Sequence, residues 1–239
     1  METYGIELEV SDLAISNAQA LLNRAGLNWT AKFDGTNHVS AEAVSPILTN
    51  DSLNETKKAA RALLAGGATV NRQTGYHVHL GADVYGIEGI ARLVHNWNFA
   101  HNTIGALVAK SRLNNHFCKA VPVNTISSWV EHVRNGNIQN LSGGRYYSLN
   151  LNAYSAHQTV EIRLHHGTLN GSKIQAWAEF CSAFARFSQD GNIIEDAKFT
   201  YADERDNNII ELLDLLALNH LNQSTADFLK ARAVELASR

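Results

Sequence analysis

The chain has 239 residues, 45% of them hydrophobic, with a formal net charge of −3. That is enough apolar material for one compact domain, at most one with an appended helical part, and it gives no global attraction to nucleic acid or anionic lipid. No run of about 18 apolar residues is present and the N-terminus carries no basic leader, so neither membrane nor nucleic acid is an expected partner. Cys118 and Cys181 are the only cysteines, too few for a disulfide framework or a cysteine-based zinc site. A reducing, cytoplasmic setting is expected.

The first element is "YGIELEV", residues 4–10. Strand alternation puts Ile6, Leu8 and Val10 on one face and Glu7 with Glu9 on the other. Two like charges side by side repel, and the plain reading is a solvated outer face. "SDLAISNAQALLNRAG" then spaces its apolar residues as a helix, with Ser11 or Asp12 as N-cap and Gly26 as stop. "LNWTAKFDGT" and "HVSAEAVSPIL" form an expected hairpin turning at Asp34-Gly35, with His38, Ser40 and Glu42 on one face. "DSLNETKKAARALLAGG" is a second helix closed by glycines. "ATVNRQTGYHVHLGAD" is expected to give two strands, and "GIEGIARLVHNWNFAHNTIGALVAK" one long helix.

Further on, "TISSWVEHVRN" (125–135) is a short helix. "RYYSLNLNAY" and "QTVEIRLHH" are expected as two strands joined by a tight polar turn. The segments "GSKIQAWAEFCSAFARFS", "ADERDNNIIELLDLLAL" and "STADFLKARAVELA" are amphipathic helices. Hairpins interleaved with helices indicate an α+β domain: a mainly antiparallel sheet, helices on one face, and a helical C-terminal part. Residues 1–190 are expected to form the catalytic domain and 191–239 its helical extension.

Several strands carry chemistry on the face opposite their apolar residues. In "GYHVHLG", His77 and His79 share a face, and the flanking glycines permit close approach. In "TVEIRLHHGTLN", Glu161 and Arg163 share a face, as a salt bridge or as two groups that reach one ligand. Arg145 opens the strand before it, and Glu42 stands in the hairpin. Alone each is ordinary. Together, Glu7, Glu9, Glu42, His77, His79, Arg145, Glu161 and Arg163 sit in five strands, and a set of mostly oxygen donors with one or two imidazoles suits Mg²⁺ or Mn²⁺. Arginines beside such ions commonly hold phosphoryl oxygens.

The order "GIELEV … FDGT … AEAVSPIL … GYHVHLG … SRLNNHFC … RYYSLNLNAY … TVEIRLHHGTLN" resembles the amidoligase family, remote relatives of glutamine synthetase and the glutamate–cysteine ligases. The resemblance spans about residues 4–180 and rests on the combination of motifs. It implies a glutamine-synthetase-like sheet, ATP, two or more Mg²⁺ (or Mn²⁺) ions, and amide formation through an acyl phosphate between a small-molecule or peptide carboxylate and an amine. By the same resemblance Glu7 shares one ion with His77 and Glu161, while Glu9 and Glu42 hold a second. His79, Arg145 and Arg163 contact phosphates, and Tyr147 and Asn150 line the pocket. Where the family usually has an aromatic or apolar residue after "EIRL", this chain has His165-His166.

A general base for the amine is open among Glu9, Glu42, Asp34 and substrate phosphate. The glycine-rich 136–144 is a lid or an ordinary connection. Two other readings compete. One is a cupin-type metal enzyme, which would use the HxH strand but leave the ExE and ExR strands unexplained and put its acid, Glu88, in a helix. The other is a non-catalytic nucleotide-binding module. Neither the substrates nor the oligomeric state is legible.

Overall fold

Alternation of apolar and polar side chains organises the strands. In the computed structural model, which describes residues 1–35, 39–113, 115–138, 144–200 and 205–238, Ile6, Leu8 and Val10 are all 0% exposed. The expectations for His38, for Asn114, for 139–143 of the lid segment and for 202–204 at a helix start lie outside the described residues. The fold mixes helices and strands, with six strands among the described residues, and the chain divides into two compact units. Met1–Gly81 with His165–Ala178 form the first; Ala82–Leu164 with Glu179–Arg239 form the second.

The first unit contains β1 (Tyr4–Val10), α1 (Ile15–Arg24), β2 (Thr30–Lys32), β3 (Ala41–Val44), α2 (Glu55–Ala65) and β4 (Gly75–Gly81). Its strands lie in the order β2-β3-β1-β4 with antiparallel pairing. Directly opposed residues share a face, so the registers Leu8↔Ala43, Leu8↔Tyr76 and Ile6↔Val78 build one apolar layer. The same registers align Glu9 with Glu42, Glu7 with His77, and Lys32 with Glu42 on the opposite face. Core formation thus fixes the polar face as well, since a one-residue slip would invert both.

Several local expectations change. Helix α1 is capped by Ala14 with no side-chain bond rather than by Ser11 or Asp12. The backbone of Ser11 is already bridged to Thr69, and Asp12, at φ +62°, accepts a hydrogen bond from the Thr69 hydroxyl. Gly26, at φ +70°, ends the helix as expected. The segment 68–83 gives one strand, not two. Thr69 makes only that isolated bridge, and Asn71 Oδ1 then accepts the amides of Gln73 and Thr74 in a side-chain-built turn. The hairpin pairs as expected, but Asp34-Gly35 lies within a longer connection between Lys32 and Ala41.

The second unit begins with α3 (Gly86–Phe99) and α4 (His101–Ile104). These replace the single long helix, with the break at Ala100. Asn98 Nδ2 bonds the Val94 carbonyl at 2.8 Å and competes with the backbone ladder just before it. After a 3₁₀ turn at Gly105–Leu107 come α5 (Lys110–Leu113), α6 (Val123–Arg134), β5 (Leu149–Asn150), α7 (Ala153–His157), β6 (Thr159–His166), α8 (Gly171–Gln189), α9 (Arg205–Ala217) and α10 (Gln223–Ala237). The last two residues of β6 and the first eight of α8 count with the first unit.

The expected strand over 145–154 shrinks to two residues. Asn150 Oδ1 accepts the Asn152 amide at 2.9 Å, ending the strand and starting α7 where a tight turn was expected. Gln158, at φ +54°, then reverses the chain into β6, which pairs antiparallel with β5. Arg145 therefore lies in a 3₁₀ turn, Gly144–Tyr146, and not on a strand. No described helix is long and apolar enough to cross a membrane.

Candidate functional site

The polar face of β1, β3 and β4 is closed rather than solvated: Glu9, Glu42 and His77 are 7%, 4% and 3% exposed. The plain sequence reading of "YGIELEV" as two water-facing acids is overturned by the neighbouring strands, whose own polar residues cover it. His77 stands between the two acids of β1. Its Nδ1 is 3.2 Å from Glu7 Oε2 and its Nε2 3.5 Å from Glu9 Oε1. His79 Nε2 lies 3.6 Å from Glu7 Oε1. Glu9 Oε2 also accepts the Gly75 amide, so the start of β4 is tied to the acid it faces.

One neighbour was not anticipated. Lys32, at the end of the short strand β2, puts Nζ 3.0 Å from Glu42 Oε2 and 3.8 Å from Glu7 Oε1. Its signal was present in the alternation of Thr30, buried Ala31 and Lys32, which aligns Lys32 with Glu42 once the hairpin register is set. A lysine in a three-residue strand, however, reads as an ordinary solvated side chain.

The electrostatics follow from burial and crowding. Burial, then the Glu7 charge, pushes the Glu42 carboxyl up to about 8 despite the Lys32 ammonium beside it. Burial also pushes Glu7 upward, but hydrogen bonds and charge from His77 and His79 outweigh it and hold that carboxyl far below the usual range. For Lys32, burial lowers the ammonium's pKa, yet Glu42 and Glu7 together raise it. Three carboxylates held this close favour a positive charge among them.

Donor atoms of Glu7, Glu42 and His77 lie within 4.8 Å of one another, as do those of Glu9, Asp34 and Glu42. Glu42 belongs to both groups. The division expected from the resemblance, with Glu42 beside Glu9 alone, is thus less sharp in this unit. The set of carboxylate oxygens with an imidazole suits a hard or borderline divalent cation.

Gly75 shows how tightly the corner is built. A Cβ there would sit 2.7 Å from His77 Nε2 and 3.4 Å from Glu9 Oε2. Gly75→Ala must displace the imidazole, and we expect a stability loss of about 1–3 kcal/mol. Chemical denaturation measures that loss. A manganese titration should show weakened cation binding beside it, and unchanged values for both would remove His77 from the cluster.

In the second unit, Glu161 is 4% exposed. It accepts Asn150 Nδ2 at 2.5 Å and a bond from Arg163 Nη1. The ExR motif therefore forms a pair along one strand; the long arginine side chain folds back two residues and need not stand apart from the acid. Arg163 Nε also reaches the Phe117 carbonyl at 3.4 Å. Arg145 is exposed in its 3₁₀ turn, its guanidinium 5.9 Å from the Tyr146 ring centroid.

Arg112 is a second residue that sequence reasoning passed over. It is 2% exposed and donates to the carbonyls of Leu164 and Arg163, at 3.2 and 2.7 Å, clasping the backbone of β6. It lies inside "SRLNNHFC", but nothing in that string marks its arginine as buried. His165 is buried. Its ring packs at 5.3 Å from Tyr76 and 5.1 Å from Trp177, in the role of the aromatic residue usual at that position.

The sequence pattern of the family described as "Putative amidoligase enzyme" matches residues 10–185. No curated protein matches the chain significantly. Glu42, His77, His79, Arg145, Glu161 and Arg163 fall inside the matched segment, and Glu7 and Glu9 immediately precede it. With nearly three quarters of its length matched, the chain belongs to this amidoligase family.

Proposed function

We propose that the protein is an ATP-dependent carboxylate–amine ligase that forms an amide through an acyl-phosphate intermediate, on a glutamine-synthetase-like sheet. The observation that supports this most is the buried polar face of the first unit, where Glu7, Glu9, Glu42 and His77 gather donors suited to Mg²⁺ or Mn²⁺. The corner fits such an ion chemically: carboxylates crowded enough to push Glu42 up to about 8 lack sufficient positive charge.

In this reading Glu7 and His77 hold one cation and Glu9 with Glu42 holds a second, while Glu161 is a cation ligand contributed by the second unit. Divalent ions bound there supply charge neutralisation for the phosphoryl oxygens and for the carboxylate under attack. The chain's own groups do the rest. His79, Arg145 and Arg163 bind phosphate oxygens; Arg163 reaches them by exchanging its bond to Glu161 for one to the nucleotide. A buried acid, Glu9 or Glu42, or the less buried Asp34, accepts the proton that the attacking amine must lose. Exclusion of water protects the acyl phosphate from hydrolysis. The substrates are a small-molecule or peptide carboxylate and an amine.

Thermal unfolding with ATP, with Mg²⁺ and with both tests the reading. Joint binding at about a hundredfold excess over Kd should raise the midpoint by roughly 5–10 °C, with little effect of either alone. Absence of a joint effect would sink the ligase reading, while stabilisation by Fe²⁺ or Mn²⁺ to which ATP adds nothing would support a cupin-type metal enzyme instead.

A further inference from the structure

The half-exposed lysine on the edge of the acidic face has a role that the proposed chemistry does not use. Lys32 lies on β2, its side chain 49% exposed, with Nζ 3.0 Å from Glu42 Oε2 and 3.8 Å from Glu7 Oε1. Those two acids are two of the three members of the Glu7–Glu42–His77 group, and Glu42 also serves the Glu9–Asp34–Glu42 group. The ammonium is therefore seated on the carboxylate that both groups share.

We propose that Lys32 is the resident cation of the empty site and sets its affinity for divalent ions: an incoming ion must displace the ammonium from Glu42 and Glu7 before it can use their oxygens. This inference rests on the metal-dependent reading above. A lysine and a divalent cation cannot share one carboxylate oxygen at short range without strong repulsion.

Displacement is sterically simple. The four-carbon stem is flexible and half in water, so the ammonium can swing outward while its methylenes stay on the strand. An arginine would not leave as readily, because its planar fork can hold a carboxylate through two bonds. Lys32 thereby makes the site a weak trap for a free ion, and favours one that arrives with extra negative charge to offset the exchange. A metal–polyphosphate complex has that character. Lysine at 32 is thus a specificity-determining residue that favours the ion's arrival as a nucleotide complex over its capture alone.

The test is a titration with Mn²⁺ alone, followed by the paramagnetic signal of the free aqua ion, on wild type, Lys32→Met and Lys32→Arg. Methionine keeps the apolar stem and removes the charge. Lys32→Met should bind Mn²⁺ at least about tenfold more tightly than wild type, while Lys32→Arg binds no more tightly than wild type. Lys32→Met should also lower the unfolding midpoint of the metal-free protein, and Mn²⁺ should restore it, showing that the variant folds.

Equal or weaker Mn²⁺ binding by Lys32→Met overturns the displacement role while leaving the metal site standing. Failure of wild type and Lys32→Met alike to bind Mn²⁺, with ATP as well as without it, overturns the metal-dependent reading and this inference with it.

Discussion

Glu7→Gln is expected to lower ATP-dependent turnover by at least about a hundredfold while the chain remains folded. Glu7 is the most connected acid of the polar face. Its oxygens lie 3.2 Å from His77 Nδ1, 3.6 Å from His79 Nε2 and 3.8 Å from Lys32 Nζ. Glutamine has the same shape and fills the same place on β1, whose opposite face is anchored by Ile6, Leu8 and Val10, all 0% exposed. What it removes is charge. His77 and His79 then lose the anion they share, and a cation loses a ligand that can be replaced only by a neutral oxygen. Release of ADP from ATP with substrate measures the effect. Glu161→Gln should give a comparable loss, because the proposed chemistry makes it a cation ligand as well. Glu9→Gln should instead spare nucleotide binding and impair transfer to the carboxylate. Turnover retained in Glu7→Gln or Glu161→Gln would remove that residue from the reaction.

The contrast between these acids shows what the sequence could reveal. Strand alternation alone separates Glu7 and Glu9 from Ile6 and Leu8, and does the same for His77 and His79 in β4. Those faces are correct because the apolar layer leaves each strand one orientation. Which acid meets which histidine depends on register. Register is a tertiary property: the alignments Glu7↔His77 and Glu9↔Glu42 follow from pairing segments 33 to 70 residues apart in sequence.

The errors have local causes. Asn98 Nδ2 bonds the Val94 carbonyl just before the break at Ala100, in a segment whose apolar periodicity continues through it. The Asn150 side chain terminates β5 and turns an expected hairpin into a helical connection, which removes Arg145 from the strand. Each is a side-chain bond to the backbone that periodicity does not register. Lys32 and Arg112 were missed for opposite reasons. A half-exposed lysine is common on any edge strand, and a buried arginine is so uncommon that its burial is legible only once the β6 carbonyls it holds are in view.

Glu42 provides the second large effect, in the pH dependence of the metal-free protein. A carboxyl raised from 4.5 to about 8 on folding means that the folded state holds a proton through a range in which the unfolded state has lost it. The folded state binds more protons between those two values, so stability falls as pH rises from about 4.5 to about 8 and is constant beyond either end. The depressed Glu7 carboxyl acts in the opposite sense, but its contribution is complete above its unfolded value and adds no slope between pH 5 and 8. The raised Lys32 group likewise contributes fully throughout that window.

Each pH unit is worth up to about 1.4 kcal/mol, so a loss on the order of 3 kcal/mol is expected between pH 5 and 8, or roughly 6–10 °C in the unfolding midpoint. The readout is the difference between wild type and Glu42→Gln, which keeps every other group of the cluster and loses only this carboxyl. Glu42→Gln should remove most of the decline. Parallel pH profiles for wild type and Glu42→Gln would mean that this carboxyl is already ionised and fully balanced by Lys32. The crowding that motivates a metal at this corner would then be absent.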